Sequence, residues 1–154
     1  MKTITIGSTI VRFDDEDEEL VLEHSWSVDN QGYIKTNIKR ASYYGYTTKR
    51  MHQLILGYTG FIDHIDGDKG NNQKQNLRVA TRSQNGANRG KLSNNTSGYK
   101  GVTYEVSRKK YTAQITHQRR VIRIGRYATA EEAAKAYDLK AKELQGDFAC
   151  INFP

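Results

Sequence analysis

The chain has 154 residues, 36% of them hydrophobic, with one cysteine, a formal net charge of +7 and a pI near 9.5. This length allows one ordinary domain or two small ones, each with a buried core. The single Cys150 excludes an internal disulfide and a multi-cysteine zinc site, and no apolar run approaches the roughly 20 residues that span a bilayer. The opening MKTITIGSTI alternates instead of forming the apolar block of a secretory signal, so we expect an intracellular protein without membrane contact or structural zinc.

The first 50 residues are predicted to be rich in β-structure. TITI and GYIKTNI alternate apolar and polar residues, a turn containing Gly32 follows Asp-Asn-Gln, and Trp26 is expected to anchor the sheet. The acidic run DDEDEE at residues 14–19 predicts a solvated loop or the start of a helix, with no evident function. RMHQLILGY then predicts a short helix that ends at Gly57.

The next stretch, residues 61–88, is unusually rich in asparagine. FIDHID predicts a strand, GDKGNNQKQN a polar loop, LRVAT a second strand, and RSQNGANR a helix with Thr81 as its N-cap. Asparagine suits neither a core nor a regular helix or strand, because its amide competes with the backbone for hydrogen bonds. We therefore infer that chemistry, and not packing, selects it here.

The C-terminal third of the chain is predicted to be a separate domain. GKLSNNTSG has the composition of a linker, which gives a first domain at 1–90, a linker at 91–96 and a second domain at 97–154. YKGVTYE, KKYTAQITH and RVIRIGRY predict three antiparallel strands. A helix follows them, with a capping box of Thr129 and Glu132, a terminating Gly146, and one apolar face formed by Ala133, Tyr137, Ala141 and Leu144. The predicted fold class is α+β.

The charges are segregated along the chain. Between Arg78 and Arg126 there are twelve Lys or Arg residues and a single acid, Glu105. A basic field of this density suits a polyanion, and nucleic acid is the leading partner. A surface that is charged only for solubility would intersperse the two signs.

The asparagine-rich stretch contains the residue types that phosphodiester hydrolysis needs. Asp63 and asparagine amides offer oxygen ligands for a divalent cation, and His64 offers a base that is neutral at physiological pH. One geometric objection stands: adjacent residues of a strand point to opposite faces, so Asp63 and His64 meet one ligand only at a strongly twisted strand or at its edge.

The pattern DHIDGDKGNNQKQNLRVATRSQN, preceded by MHQLILG, resembles the HNH endonucleases of phage and intron-homing type, whose site is a ββα-metal hairpin and helix. The resemblance implies Asp63 and Asn85 as metal ligands, His64 as general base, Asn76 as the residue that orients His64, and Arg82 as a phosphate ligand. It implies magnesium as the cation, with manganese as the alternative. We expect Asp66, Asp68 and Asn72 to shape the loop, His52 to pack beneath the site, and His24 and His117 to be surface or structural residues.

From Ser97 onward the sequence resembles the Apetala and ethylene-response-factor DNA-binding domain, with TAEEAAKAYD and the closing NFP as its most specific signatures. That family lays a three-stranded sheet in the major groove of DNA. By position, the candidate DNA contacts are Lys100, Tyr104, Arg108, Lys110, Arg120, Arg123 and Arg126. Tyr111 is open between core and contact. The sheet lacks the tryptophans of the plant pattern, so no base preference carries over.

The main interpretation is a metal-dependent DNA endonuclease of a phage or mobile element, in which the C-terminal domain binds double-stranded DNA and delivers the nuclease hairpin. The β-rich start is similar to the leader of phage proteins built in this way. We expect a monomer. The alternative is a DNA-binding transcriptional regulator with a vestigial hairpin. An RNA-binding protein is a third reading that charge alone allows, but no RNA-binding module is recognisable.

Overall fold

The computed structural model describes residues 1–40 and 44–154. The predicted β-rich region includes residues 41–43, which lie outside the described residues. Within the described part, four small sheets and four α-helices give an α+β fold, as predicted. None of these helices combines the length and hydrophobicity needed to cross a bilayer. The chain divides into two compact units, Met1–Thr81 and Arg82–Pro154, and each is described by itself.

The first unit contains seven strands and two helices among its described residues. They are β1 (Lys2–Ile6), β2 (Thr9–Phe13), α1 (Glu18–Leu22), β3 (Ser27–Val28), β4 (Ile34–Lys39), β5 (Tyr46–Arg50), α2 (Met51–Ile55), β6 (Ile62–His64) and β7 (Leu77–Val79). The pairs β1–β2 and β6–β7 form antiparallel hairpins, and β3, β4 and β5 form an antiparallel sheet. Their buried apolar side chains make one core, which contains Val11, Phe13, Val21, Ile34, Met51, Ile55, Ile62 and Leu77.

The predicted local features of the first unit are confirmed. Trp26 packs against the core, and its indole N–H donates to the backbone oxygen of Val21 at 2.7 Å. Gly32 lies in the turn between β3 and β4, where its N–H donates to the backbone oxygen of Asp29. The acidic run begins a helix, since a 3-10 turn at Asp15–Asp17 leads directly into α1.

The second unit is a three-stranded antiparallel sheet backed by one long helix, as predicted. Its elements are α3 (Arg82–Ala87), β8 (Val102–Glu105), β9 (Lys110–His117), β10 (Arg120–Tyr127) and α4 (Ala130–Gln145). The strand order is β10-β9-β8. The capping box is present, since the Glu132 N–H donates to Thr129 Oγ1 while the Glu132 carboxylate accepts from the Thr129 N–H.

The core of the second unit lies between the sheet and α4. It contains Val102, Ala113, Ile115, Ala133, Ala134, Tyr137 and Ala141. Small residues on α4 let the helix approach the sheet closely. Gly101 is required at this contact, because a Cβ there would lie 2.1 Å from Cδ2 of Tyr137, and its φ of +74° disfavours any side chain.

The first compact unit ends at Thr81, ahead of the linker that the sequence predicts at 91–96, and the predicted domain bounds stay predictions. In the structure α3 belongs to the second unit, where the Lys100 ammonium donates to the backbone oxygen of Ala87 at 2.6 Å. The segment expected to be flexible also contains an ordered turn, in which Asn95 Oδ1 accepts from the N–H of Gly98 and the hydroxyl of Ser97. The polar composition that predicts a linker is here used for local hydrogen bonds.

Candidate active site and DNA-binding face

The β6–β7 hairpin carries Asp63 and His64, and the two side chains have different neighbours. Asp63 is paired with Arg78, which stands opposite it on β7. Arg78 donates to Asp63 Oδ2 from Nε at 2.9 Å and from Nη2 at 2.7 Å. No local pattern in the sequence predicts this ion pair, although the pairing of Asp63 with Arg78 across the two strands explains it.

His64 lies among aromatic rings. Its imidazole is 4% exposed, with ring centroids 5.1 Å from His52 in an edge contact and 6.0 Å from Tyr33. His52 is therefore packed beneath His64, as expected, and burial together with the neighbouring His64 and Arg50 lowers the pKa of His52 to about 3. Burial also lowers the pKa of His64, although the Asn72 bond and the nearby Asp66 carboxylate oppose the shift. The lowered pKa of each histidine favours the neutral form of its ring.

Asn72 provides the amide that faces the His64 ring. Its Oδ1 lies 3.4 Å from His64 Nε2, and the residue is 1% exposed. The amide orientation follows from the other bonds: Nδ2 lies 3.3 Å from the backbone oxygens of Lys69 and Gly70, which can only accept. The atom that faces the ring is therefore the oxygen. Because an amide oxygen also only accepts, this contact favours the His64 tautomer with its proton on Nε2.

Asn76, predicted to orient His64, makes different contacts in the structure. Its Oδ1 accepts from the Asp66 N–H at 3.1 Å, and its Nδ2 donates to Asp66 Oδ1 at 2.9 Å and to the Asn71 backbone oxygen at 2.8 Å. It thus bridges two parts of the loop. The two asparagines are four residues apart in one loop, and only the folded path of that loop determines which of them faces the ring.

The two loop aspartates shape the backbone, as expected. The Asp66 carboxylate accepts from the N–H of Asp68, and the Asp68 carboxylate accepts from the N–H of Gly70, each at 2.8 Å. Burial would raise the pKa of Asp66, but bonds from Asn71, Asn76 and the Asp68 backbone outweigh it, and the pKa is lowered. Asp66 therefore stays ionised and holds the loop closed.

The remaining predicted site residues, Arg82 and Asn85, lie on α3 in the second unit. They are three residues apart, which places them on one face of the helix. Arg82 is exposed and Asn85 is half-buried. Their roles as phosphate ligand and metal ligand stay predictions. Among the described residues, no group of three or more His, Cys, Asp or Glu side chains is arranged to hold a metal ion.

The face of the second sheet that points away from α4 is polar and mostly exposed. Strand alternation and register place the following side chains on this outer face: Thr103, Glu105, Lys110, Thr112, Gln114, Thr116, Val121, Arg123 and Arg126. Three of the seven predicted DNA contacts belong to it, namely Lys110, Arg123 and Arg126. Thr103, Gln114 and Thr116 also lie on this face and were not among the predicted contacts, although their alternation with the buried Val102, Ala113 and Ile115 indicates their position.

The other four predicted contacts lie elsewhere; they are Lys100, Tyr104, Arg108 and Arg120. Lys100 is half-buried and bonded to Ala87, and burial lowers the pKa of its ammonium group. Tyr104 lies two residues after the buried Val102 on β8, so its side chain is on the α4 side of the sheet. Its ring centroid lies 4.9 Å from that of Tyr111. Tyr111 itself packs against the core. Arg120 is exposed, but it lies two residues before the core-packed Ile122 on β10, so its side chain is on the α4 side of the sheet.

Glu105, the single acid of the basic segment, organises two arginines. It accepts from Nε of Arg126 at 2.8 Å and forms an ion pair with Arg108. The bond from Arg126, with a further one from Arg108, lowers the pKa of Glu105. The acid thus holds Arg126 and Arg108 at the edge of the outer face.

The two hairpin turns of this sheet contain three non-glycine residues in the left-handed region. Lys109, between β8 and β9, has φ +50°, while Gln118 and Arg119, between β9 and β10, have φ +49° and +64°. Such residues cost about 1–2 kcal/mol each in this conformation. Neither Lys109 nor Arg119 forms an ion pair within the residues that the structure describes.

Two protein families match separate parts of the chain. The HNH endonuclease family matches residues 59–87, which contain the β6–β7 hairpin and α3, and the AP2 domain matches residues 97–147, which contain the three-stranded sheet and α4. The chain is 31% identical over 134 residues to an uncharacterized HNH endonuclease of Acanthamoeba polyphaga mimivirus, covering 86% of this chain and 69% of the relative. It is 33% identical over 89 residues to Protein 3.8 of Escherichia phage T7, covering 58% of this chain and 73% of that protein. The chain therefore belongs to the HNH endonuclease family and carries an AP2 domain in its C-terminal part.

Proposed function

We propose that the protein is a metal-dependent endonuclease that hydrolyses phosphodiester bonds in double-stranded DNA, and that it serves a phage or mobile element as a homing-type nuclease. The observation that carries the proposal is the His64 ring, which is buried and bonded through Nε2 to an amide oxygen. His64 Nδ1 then takes a proton from the water that attacks the phosphorus atom. Asn72 keeps the ring in the tautomer and orientation that this step requires.

The residue types of the proposed ligands suit a magnesium ion. Asp63 and Asn85 would hold it through a carboxylate and an amide oxygen, hard ligands that leave room for water and phosphate oxygens. A bound cation would neutralise negative charge on the scissile phosphate and on the leaving oxygen. Arg82, on the same helix face as Asn85, would add a positive charge for the phosphate.

The outer face of the second sheet would bind the DNA. Arg123, Arg126 and Lys110 supply positive charge, and Gln114 in the middle of the face can bond an adenine edge. Lys100 and Tyr104 stay predicted contacts that make other contacts in the structure, Lys100 with the Ala87 oxygen and Tyr104 with the Tyr111 ring.

A DNA-binding regulator with an inactive hairpin remains the second candidate, and one observation favours it. Arg78 places its positive charge beside the carboxylate of Asp63, which is the group that would have to bind a cation. Incubation of the protein with supercoiled plasmid distinguishes the two functions by whether the plasmid is cleaved. An endonuclease converts it to open-circular or linear DNA with magnesium and leaves it intact with a chelator. Binding without any cleavage, over a range of magnesium and manganese concentrations, would instead establish the regulator.

We further propose that Arg119 contacts a DNA phosphate, since a basic residue occupies a left-handed turn position that glycine would adopt with less strain. Replacing either Gln118 or Arg119 by glycine should stabilise the second unit slightly, because relief of about 1–2 kcal/mol of strain exceeds the entropy cost of about 0.5–1 kcal/mol that glycine adds. Only Arg119→Gly should weaken DNA binding and reduce the log–log salt slope, by about 0.9.

Thermal melts followed by circular dichroism and salt-titrated DNA binding measure these two effects on the same samples. Gln118→Gly is the matched control, because it changes the same turn without changing the charge. If Arg119→Gly binds DNA as the unchanged protein does, with the same salt slope, Arg119 is not a phosphate contact.

A further inference from the structure

The loop between β6 and β7, at residues 65–76, is attached to strand β2. The Arg12 N–H donates to the Gly70 backbone oxygen and the Asn72 N–H donates to the Arg12 backbone oxygen, each at 2.8 Å. These two bonds flank Asn71 and form an isolated parallel β-bridge between Arg12 and Asn71. The approach is close, since a Cβ on Gly70 would lie 2.7 Å from the backbone oxygen of Ile10. The backbone of Asn72 is thus fixed by β2.

The acidic run that follows β2 holds the next part of the same loop. The Asp14 carboxylate accepts from the Lys74 N–H at 2.8 Å and from Gln73 Nε2 at 3.2 Å. The Lys74 ammonium pairs with Asp17 at 3.1 Å and with Glu16. Backbone and side-chain groups of residues 73–74 are therefore bound by carboxylates that the sequence leaves without a role.

An ion pair also holds the loop on the other side of Asn72. Arg12 pairs through its guanidinium with Asp68, whose carboxylate accepts from the Gly70 N–H. Asn72 consequently lies between two anchored segments, with its own oxygen 3.4 Å from His64 Nε2. No contact between residues 12–17 and His64 itself is needed for them to affect the ring.

We propose that residues 12–17 form a clamp, the N-terminal clamp, that positions Asn72 and through it the His64 ring. This inference rests on the proposed endonuclease function. Asp14, Arg12 and Asp17 are positioning residues that touch neither DNA nor the reacting atoms. The clamp gives the acidic run a function, and it explains why a nuclease hairpin with few apolar residues of its own is joined to an N-terminal β-hairpin.

Asp14→Ala tests the clamp, because it removes both hydrogen-bond acceptors from residues 73–74. Displacement of a catalytic group by about 1 Å can cost up to about 10²-fold in rate, so we expect kcat to fall by about 10-fold to 10²-fold while DNA affinity stays near its original value. Asp14→Asn keeps one acceptor oxygen and should restore part of the rate. Asp15→Ala is the matched control, since Asp15 pairs with the N-terminal amine of Met1 and not with the loop.

A double-mutant cycle separates positioning from simple destabilisation. If Asp14 acts through Asn72, Asp14→Ala should cost nothing further in an Asn72→Ala background. The ¹⁵N shifts of the His64 ring provide a second measurement that needs no activity, and they should change in Asp14→Ala but not in Asp15→Ala. Fluorescence of Trp26, the only tryptophan and part of the first core, reports whether each variant is folded.

The outcomes distinguish this inference from the proposed function. Absence of cleavage by the unchanged protein overturns the endonuclease proposal, and the His64 ring shifts then still test the clamp. Normal kcat in a folded Asp14→Ala variant overturns the clamp and leaves the endonuclease intact. Additive losses in the cycle, or equal losses in Asp14→Ala and Asp15→Ala, also overturn it.

Discussion

Replacement of His64 by alanine is expected to slow DNA cleavage by about 10²–10⁴-fold, the usual contribution of a general base. The physical reason is local: the Asn72 oxygen favours a proton on Nε2, and in the proposed reaction Nδ1 then accepts the proton of the attacking water. DNA affinity should stay near that of the unchanged protein, because the proposed DNA-binding face lies in the second unit. The measurement is single-turnover cleavage of a labelled duplex alongside equilibrium binding.

His24→Ala serves as the control for the loss of a histidine from the first unit. His24 makes an edge contact with Trp26, at a centroid distance of 5.7 Å, and has no part in the proposed reaction. Undiminished turnover in a folded His64→Ala variant would remove His64 from the mechanism. A loss of similar size in His24→Ala would instead indicate that any disturbance of the first unit abolishes cleavage.

Replacement of Arg78 by alanine is expected to destabilise the first unit by about 3–5 kcal/mol, the usual cost of removing one partner of a buried ion pair. Asp63 and Arg78 are well shielded, with side-chain exposures of 5% and 18%. The change removes two hydrogen bonds and a positive charge from Asp63 Oδ2. Denaturant unfolding followed by Trp26 fluorescence measures the loss.

Lys2→Ala is the matched control for the Arg78 variant. Lys2 pairs with Glu18 in the same unit, but both side chains are more than 40% exposed, so the expected loss is below about 1 kcal/mol. Equal, small losses in the two variants would show that the Arg78 pair adds little to stability. Its role would then be confined to the orientation of Asp63.

The elements of this protein were predictable because their signals are local. The capping box and apolar face of α4 lie within one segment of chain, and the alternation of β8 to β10 follows from strand geometry. The nuclease motif is likewise local, so the hairpin strands, the buried His52 and the loop-shaping Asp66 and Asp68 agree with the sequence interpretation.

The composition of the outer face of the second sheet was only partly predictable, for an equally physical reason. Basic residue type selected Lys100 together with Arg123 and Arg126, but type does not tell which side of the sheet a residue occupies. The fold turns Lys100 inward to the Ala87 carbonyl and leaves Gln114 exposed. The count of charges predicts the partner, whereas register and alternation determine which side chains share the outer face of the sheet.

By itself, the sequence determined the order of the elements, the two motifs and the residue types available for chemistry, because each of these is encoded within a short segment. Only the tertiary structure decided which asparagine faces His64, which arginine pairs with Asp63, and what the acidic run holds. These are contacts between residues up to about 60 positions apart, such as Asp14 with Lys74. They depend on the register of β6 against β7 and on the packing of a loop against β2, and no local pattern in the chain specifies either.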